Sequence, residues 1–275
     1  MSQREQAAHF RRLHHNGPLV LANAWDAASA RVIERAGAHA IATTSAGISW
    51  SLGRRDGEGL RRAEMIEAVR RIVDAVELPV TADVESGYGT GSAQDVAETV
   101  RAVVDVGAVG VNLEDAPGLD DAQLLAPDAH AARIRAARDA ALAAGGDVVI
   151  NARTDVYLAG VGAPESRFDE TVRRAHAYLA AGADCIFVPG VIDGETIGAL
   201  VRAIDGPLNI LASSGAPDIA TLRSLGVARV SVGSRLMAAM LAATRDAARE
   251  LHEAGTYGGL DDALPYDEVN GLFAD

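Results

Sequence analysis

Short runs of β-branched and other apolar residues alternate with longer Ala-, Arg- and Glu-rich stretches of helical period along nearly the whole chain. Each run predicts a strand and each longer stretch a helix. The eight predicted strands span 19–25, 40–45, 79–85, 110–115, 148–155, 185–190, 207–212 and 229–233. The eight predicted helices span 27–36, 63–76, 93–106, 127–144, 165–181, 195–204, 217–225 and 234–254. Eight β/α units in about 250 residues favour an α/β fold of the (β/α)8 TIM-barrel type, with a closed parallel sheet.

The first predicted strand runs into Trp25 and Asp26 where a dinucleotide-binding fold carries a glycine-rich turn. This difference disfavours an open, doubly wound sheet. Residues 1–254 are therefore predicted to form a single barrel domain. Residues 255–275 contain two adjacent glycines, Pro265 and several acids, and are predicted to form a C-terminal tail or arm.

Composition excludes several classes of function. The 275 residues carry a formal net charge of -13, which disfavours nucleic acid and anionic membranes as partners. The chain has no lysine, so neither Schiff-base chemistry nor a P-loop is expected. Its single cysteine, Cys185, has no partner for an internal disulfide, and the charged opening segment lacks the apolar region of a signal peptide. A cytoplasmic location without a membrane partner is the expectation.

Acidic residues gather where the predicted strands end, which is where barrel enzymes carry their active sites. The third strand ends with Asp83 and Glu85, which period-2 alternation places on one face, and the fourth ends near Glu114. Carboxylates without Cys or His partners favour Mg²⁺, or Mn²⁺, over zinc. Each acid could instead cap the following helix. Arg153 either neutralises the acids or binds a substrate carboxylate or oxyanion.

Other polar positions indicate a function less specifically. The segment Thr43-Thr44-Ser45-Ala46-Gly47 is either an anion-binding nest or a turn without a ligand. Cys185 begins a predicted strand among apolar neighbours and is interpreted as a buried core thiol rather than a nucleophile. The seven histidines lack a metal-binding spacing and are interpreted as structural or surface residues.

Taken in order, six motifs resemble those of the isocitrate lyase and phosphoenolpyruvate mutase superfamily: Asn23-Ala24-Trp25-Asp26, Ser45-Ala46-Gly47, Gly53-Arg54-Arg55-Asp56, Ala82-Asp83-Val84-Glu85-Ser86-Gly87-Tyr88-Gly89, Leu113-Glu114-Asp115 and Asn151-Ala152-Arg153-Thr154-Asp155. The resemblance spans nearly the whole chain. It implies a modified barrel that binds Mg²⁺ and a 2-oxo acid or its enolate. It also implies a homodimer or homotetramer with a swapped C-terminal helix.

The resemblance also implies roles for individual residues. Asp83 corresponds to the direct metal ligand, and Glu85 and Glu114 to acids that hold the metal through water. Asp56 corresponds to a loop acid that helps to organise this water, and Arg153 to the arginine facing the substrate oxyanion. Catalytic roles thus fall on Asp56, Glu114 and Arg153, and substrate contacts on Trp25, Ser45, Ala46, Gly47 and Arg153.

Three departures from the family pattern narrow the predicted reaction. Glu85 stands where the family usually has aspartate. The segment 116–121 lacks the lysine-, cysteine- and histidine-containing loop of the lyases, and Pro189 stands where lyases have glutamate and phosphonomutases histidine. What remains resembles the oxaloacetate decarboxylase branch, which also lacks the cysteine loop and has an apolar residue followed by Gly-Val at the end of its sixth strand. Loss of carbon dioxide needs no acid to protonate the leaving group.

The sequence therefore predicts a Mg²⁺-dependent carboxy-lyase that acts on a small 2-oxo (di)carboxylate through a pyruvate enolate, with oxaloacetate as the leading substrate. Three alternatives stay open. The first is carbon–carbon cleavage as in isocitrate or 2-methylisocitrate lyases, and the second is phosphorus–carbon chemistry as in phosphoenolpyruvate phosphonomutases. The third is a non-catalytic protein that binds a 2-oxo acid.

Overall fold

In the computed structural model, which describes residues 1–117 and 123–274, nine parallel strands form one sheet. They are β1 (Leu19–Leu21), β2 (Asn23–Ala24), β3 (Ile41–Thr43), β4 (Val80–Asp83), β5 (Gly110–Glu114), β6 (Val149–Arg153), β7 (Cys185–Val188), β8 (Leu208–Leu211) and β9 (Arg229–Ser231). The order in the sheet is β1-β9-β8-β7-β6-β5-β4-β3-β2. The two edge strands are consecutive in the chain, so the sheet closes on itself.

Because the sheet closes into a barrel, the predicted first strand is divided into two short strands. The prediction over 19–25 is interrupted at Ala22, because β1 pairs with β9 whereas β2 pairs with β3. Leu19 is in register with Arg229, and Asn23 with Ala42. The (β/α)8 TIM-type barrel is confirmed, with its first strand bent between its two neighbours.

Eleven α-helices occur in the described ranges: α1 (Gln3–Leu13), α2 (Ala27–Arg35), α3 (Ser45–Ser51), α4 (Arg62–Ala75), α5 (Ala93–Asp105), α6 (Pro127–Ala143), α7 (Arg167–Ala180), α8 (Gly194–Ala203), α9 (Ile219–Ser224), α10 (Arg235–Glu253) and α11 (Tyr266–Gly271). Eight of them match the predicted helices within two residues at either end. The helices α1, α3 and α11 were not predicted.

The start of α3 corrects the predicted strand over 40–45. The strand ends at Thr43, and the Thr44 side chain accepts a hydrogen bond from the Gly47 amide at 3.4 Å. A threonine that accepts a bond from an amide three residues on begins a helix. Ser45 is therefore the first residue of a helix rather than the last residue of a strand.

Helix α1 closes the amino-terminal end of the barrel. It begins with a capping box between Ser2 and Glu5, a signal that is readable in the sequence. The fully buried Phe10 packs in a cluster with residues of the first strands, among them Leu21 and Ala42. Gly110 makes room for this packing, because an added Cβ would lie 2.6 Å from Thr81 Oγ1 and 3.0 Å from the Phe10 ring.

The C-terminal helix α10 packs poorly on its own barrel. Of its 19 residues only Met237 is buried, and Leu236, Met240, Leu241 and Leu251 are exposed. After it, the Glu250 carboxylate accepts hydrogen bonds from the amides of a short 3₁₀ turn, Gly258–Leu260. Within the ranges described, no helix combines the length and the apolar character needed to cross a membrane.

Candidate active site

A cavity of about 150 Å³ extends from the carboxyl ends of the strands into the barrel. A cavity of this size accommodates a molecule of about six non-hydrogen atoms. Its walls are polar, because β2 to β6 and β8 each turn an asparagine, a threonine or a charged side chain inward. Of the predicted site residues, five line it: Ser45, Ala46, Asp56, Asp83 and Arg153.

Asp83 ends β4 and is held by donors from two neighbouring elements. Its Oδ2 atom accepts from the Ser45 amide at 3.1 Å and from the Ser45 hydroxyl at 2.9 Å. Its Oδ1 atom accepts from Asn112 Nδ2 at 2.9 Å, and its amide donates to Thr43 Oγ1 at 2.8 Å. The predicted metal ligand and the predicted substrate-binding serine therefore lie side by side.

The Asn112 contact belongs to a short relay across the sheet. Asn151 Nδ2 donates to Asn112 Oδ1 at 3.0 Å, and Asn112 in turn donates to Asp83. Asn112 was missed from the sequence. Its signal is an amide side chain two residues before Glu114 in an otherwise apolar strand, a position that faces the barrel interior by alternation.

Arg153 pairs with two acidic side chains, and its binding of a substrate stays a prediction. Its Nη1 atom lies 2.6 Å from Glu114 Oε2, and its Nε and Nη2 atoms donate to Asp155 at 2.6 and 2.7 Å. Burial would lower the pKa of Arg153, but Glu114 and Asp155 raise it above its ordinary value. A guanidinium carries five N–H donors, so two remain for a ligand in the cavity.

Glu114 lies beside Arg153 and is not among the residues that line the cavity. Its side chain is 12% exposed. Burial raises the pKa of Glu114 well above its usual range, and the Arg153 charge opposes this shift. The ion pair with Arg153 is the contact that holds this carboxylate next to the cavity.

Asp56 enters the cavity from the loop between α3 and α4. Its Oδ1 atom is buried and has no hydrogen-bond partner. Burial, together with the nearby charge of Asp83, raises the pKa of Asp56. A second carboxylate with an unpartnered oxygen near Asp83 makes this side of the cavity strongly electronegative.

Glu85 does not share a strand face with Asp83, and that expectation is wrong. The strand ends at Asp83, and Glu85 follows it with a left-handed backbone, φ 51°. The Glu85 carboxylate accepts from the Tyr88 hydroxyl at 2.9 Å and from the Glu58 amide. Burial, and secondarily Asp83, raises the pKa of Glu85 to about 7.

Glu58 completes a reciprocal contact between two loops. Its carboxylate accepts from the Ser86 hydroxyl and, at 2.8 Å, from the Tyr88 amide, while its own amide donates to Glu85. Glu58, Glu85 and Tyr88 all have positive φ and are not glycine. We name the set Glu58, Glu85, Ser86 and Tyr88 the loop latch. Its strained backbone is maintained by these hydrogen bonds.

The donor set fits a hard divalent cation bound through one direct ligand. Within residues 1–117 and 123–274, no three His, Cys, Asp or Glu side chains converge closely enough to hold a metal together. Asp83 faces the cavity, whereas Glu85 and Glu114 lie behind its wall. The unpartnered Asp56 oxygen and the all-oxygen donor set are those that Mg²⁺ or Mn²⁺ prefers.

Two predicted substrate residues lie outside this cavity. Trp25 lines a separate groove of about 610 Å³, together with Leu52 and Phe273. Gly47 packs behind the cavity wall, where an added Cβ would lie 2.7 Å from Thr44 Cγ2 and 2.9 Å from Trp25 Cβ. Their substrate contacts stay predictions, and the observed contribution of Gly47 is close packing of α3.

Two buried residues lie away from the cavity. Asp115 directly follows β5, is fully buried and accepts hydrogen bonds from Arg174 at 2.9 Å and Tyr178 at 2.7 Å. Cys185 is a buried thiol, as expected. Of the segment that departs from the lyase loop, residues 118–121 lie outside the described part of the chain.

Known protein families and solved structures resemble this chain. The family model described as phosphoenolpyruvate phosphomutase matches residues 10–252. The chain is 30% identical to the 2-methylisocitrate lyase of Escherichia coli (strain K12), over 94% of this chain and 90% of that protein. It is also 30% identical to the oxaloacetate decarboxylase of Rhodopseudomonas palustris (strain HaA2), over 80% of this chain and 72% of that protein.

A solved structure supports the same relationship. A Burkholderia cenocepacia J2315 protein described as a lyase or mutase superposes with a TM-score of 0.92 at 39% identity. The match covers 99% of this chain and 97% of that one. The similarity therefore includes the whole barrel and the C-terminal helices.

Proposed function

The chain belongs to the phosphoenolpyruvate phosphomutase family, within the isocitrate lyase superfamily, and from this premise we propose that it is a Mg²⁺-dependent oxaloacetate decarboxylase. Members of this superfamily are lyases or mutases. One observation supports oxaloacetate decarboxylation in particular. Asp83 and Arg153 face a polar cavity of about the size of pyruvate, the second carboxylate of oxaloacetate would extend toward the open mouth, and no thiol lines the cavity.

The missing thiol favours loss of carbon dioxide over the other cleavage reactions. The chain's one cysteine, Cys185, begins β7 and therefore lies toward the amino-terminal end of the barrel. Burial raises its pKa to about 12, which makes it a poor proton donor. A departing carbon dioxide molecule is neutral and needs no proton, whereas a departing carbanion does.

The relatives support the lyase class without selecting the substrate. The Rhodopseudomonas palustris relative is an oxaloacetate decarboxylase, and the Escherichia coli relative at the same identity is a 2-methylisocitrate lyase. In this proposal, the absence of a thiol from the cavity wall therefore favours oxaloacetate over 2-methylisocitrate as the substrate.

The proposed mechanism assigns roles to residues on the cavity wall and to acids behind it. Asp83 would hold Mg²⁺ directly, with Asp56 on the wall and Glu85 and Glu114 behind it as the surrounding acids. When bound, the metal supplies a Lewis acid that withdraws electron density from the 2-oxo group.

The residues of the chain bind and orient the substrate. The Ser45 segment binds the carboxylate next to the 2-oxo group. The C3–C4 bond of oxaloacetate breaks, its electron pair forms the C2–C3 double bond of an enolate, and carbon dioxide leaves. The two free N–H groups of Arg153 stabilise the enolate oxygen, and C3 then takes a proton from water.

The proposal extends to assembly as a homodimer or homotetramer that exchanges α10. Its support is the apolar surface that α10 leaves exposed, including Leu236, Met240, Leu241 and Leu251. Contiguous apolar surface of this kind is typical of an interface. Light scattering of the purified chain tests it, and a monomeric mass would contradict it.

A substrate panel tests the proposed reaction against its alternatives. With Mg²⁺, we expect pyruvate from oxaloacetate at a rate well above the spontaneous and metal-catalysed background. Faster release of succinate from 2-methylisocitrate would overturn the choice of substrate, as would conversion of phosphoenolpyruvate to phosphonopyruvate. Binding of oxalate without turnover of any panel member would indicate a 2-oxo-acid binding protein.

A further inference from the structure

Arg229 is a buried cation without a counter-ion. It is the first residue of β9, is 2% exposed and lines the cavity that also contains Asp83. Its Nε and Nη1 atoms are buried and have no hydrogen-bond partner. Across the described ranges, no carboxylate lies within ion-pair distance of its guanidinium. Burying an unpaired charge is costly unless a ligand compensates for it.

The groups around Arg229 do not neutralise it. The guanidinium carbon lies 5.7 Å from the centre of the Phe10 ring, which closes the barrel beneath it. Burial keeps Cys185 and His14 neutral, because it raises the pKa of Cys185 to about 12 and lowers that of His14 to about 4. The charge of Asp83 raises the pKa of Arg229 but lies beyond ion-pair distance. Burial also lowers the pKa of Arg229, but only to about 10, so the guanidinium is charged at neutral pH.

The acid on the same cavity is already engaged. Asp83 accepts three hydrogen bonds, two from Ser45 and one from Asn112. Arg229 and Asp83 therefore lie on one cavity without forming an ion pair.

A second unpartnered donor lies next to Arg229. Asn209 on β8 is in register with Arg229 and lines the same cavity. Its Oδ1 atom accepts from the Ser231 hydroxyl at 3.4 Å, while its Nδ2 atom has no partner. Two adjacent strands thus carry, on residues that line the same cavity, unused N–H groups, one of them on a cation.

We propose that Arg229 and Asn209 form an anion subsite at the inner end of the barrel cavity, and that this subsite binds a carboxylate of a small 2-oxo acid. That the anion is a 2-oxo acid rests on the proposed function; the subsite itself rests on the unpartnered donors. The subsite and the Ser45 segment line the same cavity, so one small 2-oxo acid would have both within the cavity that it occupies.

The subsite also orients the substrate. An ion pair with a buried guanidinium stabilises the negative charge of a carboxylate, whereas decarboxylation must remove that charge. The carboxylate on Arg229 is therefore the one that the product retains. Carbon dioxide then leaves from the other end of the molecule, toward the open mouth of the barrel.

Substitutions at Arg229 test the subsite by calorimetry in chloride-free buffer with Mg²⁺. Arg229→Met keeps an unbranched apolar stem and removes the guanidinium with its charge, and Arg229→Lys keeps the charge. We expect the pyruvate dissociation constant to rise about tenfold to a hundredfold in Arg229→Met. Arg229→Lys should recover most of this loss. Pyruvamide, which lacks the carboxylate, should bind equally weakly to the parent protein and to Arg229→Met.

The matched control is Arg133→Met. Arg133 is also a buried arginine with two nitrogen atoms that lack partners, but it does not line the cavity. We expect it to leave pyruvate binding within about twofold. Thermal unfolding without ligand adds a second readout, because removing an unpaired buried charge should keep or raise the melting temperature of Arg229→Met.

Formate separates this inference from the proposed function, since it carries a carboxylate but no 2-oxo group. If formate raises the melting temperature of the parent protein but not that of Arg229→Met, the subsite is supported, even where pyruvate fails to bind. Failure of pyruvate to bind would then contradict the proposed function and not the subsite. Equal responses of parent and Arg229→Met to formate and pyruvate overturn the subsite. So does a lowered melting temperature of ligand-free Arg229→Met with unchanged binding, which marks Arg229 as structural.

Discussion

The polar groups at the two ends of the barrel cavity differ in how many hydrogen-bond partners they have. At the mouth, Asp83 and Arg153 are each held by two or more partners, although the Oδ1 atom of Asp56 has none. At the inner end, both Arg229 and Asn209 keep unpartnered donors. Since buried polar groups are almost always paired, the mouth is organised mainly by the protein itself, whereas the proposed anion would supply the missing partners at the inner end.

The largest expected effect is that of Asp83→Ala at the mouth. Removing the one predicted direct ligand should abolish Mg²⁺ binding and lower kcat/KM for oxaloacetate by roughly a thousandfold or more, because the Lewis acid is lost. The melting temperature should fall modestly without loss of the fold, because Ser45 and Asn112 lose the acceptor of three hydrogen bonds. Steady-state kinetics and Mg²⁺ titration provide the measurement.

A control for Asp83→Ala is Asp147→Ala, which removes an exposed carboxylate paired with Arg11 outside the cavity. It should retain full activity. Activity in Asp83→Ala comparable to that of Asp147→Ala would reject the metal assignment.

The next effect concerns charge stabilisation by Arg153. Arg153→Met should lower kcat by roughly a hundredfold, as removal of an oxyanion donor does in other enzymes. It also leaves Glu114 and Asp155 without their cation, so a lower melting temperature is expected. Arg153→Lys separates the two effects, because it retains a charge near both acids but loses the fork that contacts Asp155. Unchanged kcat in Arg153→Met would show that Arg153 only neutralises its neighbours.

A smaller effect tests whether the loop latch matters for the mouth. Tyr88→Phe removes the hydroxyl that donates to Glu85 at 2.9 Å and keeps the buried ring. We expect a loss of about 1–3 kcal/mol in the free energy of unfolding and a severalfold loss in kcat/KM. Denaturant unfolding and kinetics measure the two quantities.

Tyr178→Phe is the matched control for the latch. The Tyr178 hydroxyl donates to the buried Asp115 at 2.7 Å, and neither residue lines the cavity. A similar loss of stability with unchanged kcat/KM is expected. Equal kinetic losses in both variants would mean that the latch acts only through global stability.

The smallest effect is expected at Cys185. Cys185→Ala should leave kcat/KM within about twofold and cost roughly 1 kcal/mol of stability, because it removes a small buried group far from the mouth. A large kinetic loss measured under the same assay conditions would reinstate a thiol in the reaction and contradict decarboxylation without a cysteine.

The sequence predicted the elements better than the junctions between them. The repeating apolar and helical periods were sufficient for the barrel, because each unit is a local pattern. The helix at Ser45 was missed because the Thr44 cap is a single side-chain contact at the end of an apolar run. The separation of Asp83 from Glu85 was missed because period-2 alternation holds only within a strand, and the strand ends at Asp83.

The cavity likewise contains some residues that the sequence predicted and others that it did not. Asp83, Asp56, Ser45, Ala46 and Arg153 were predicted to share a site, and they line one cavity. Arg229 and Asn209 were not predicted, although each is a polar residue inside a short apolar strand. Their importance depends on which partners they lack, and that requires knowledge of every neighbouring side chain.

The most direct test of the account is pyruvate release from oxaloacetate by the unmodified protein, measured with Mg²⁺ and again with excess EDTA against matched enzyme-free reactions. The account predicts release in proportion to protein concentration, its loss with EDTA and its return when Mg²⁺ exceeds the chelator. Release that never rises above the enzyme-free rate, or that is indifferent to EDTA, would contradict it.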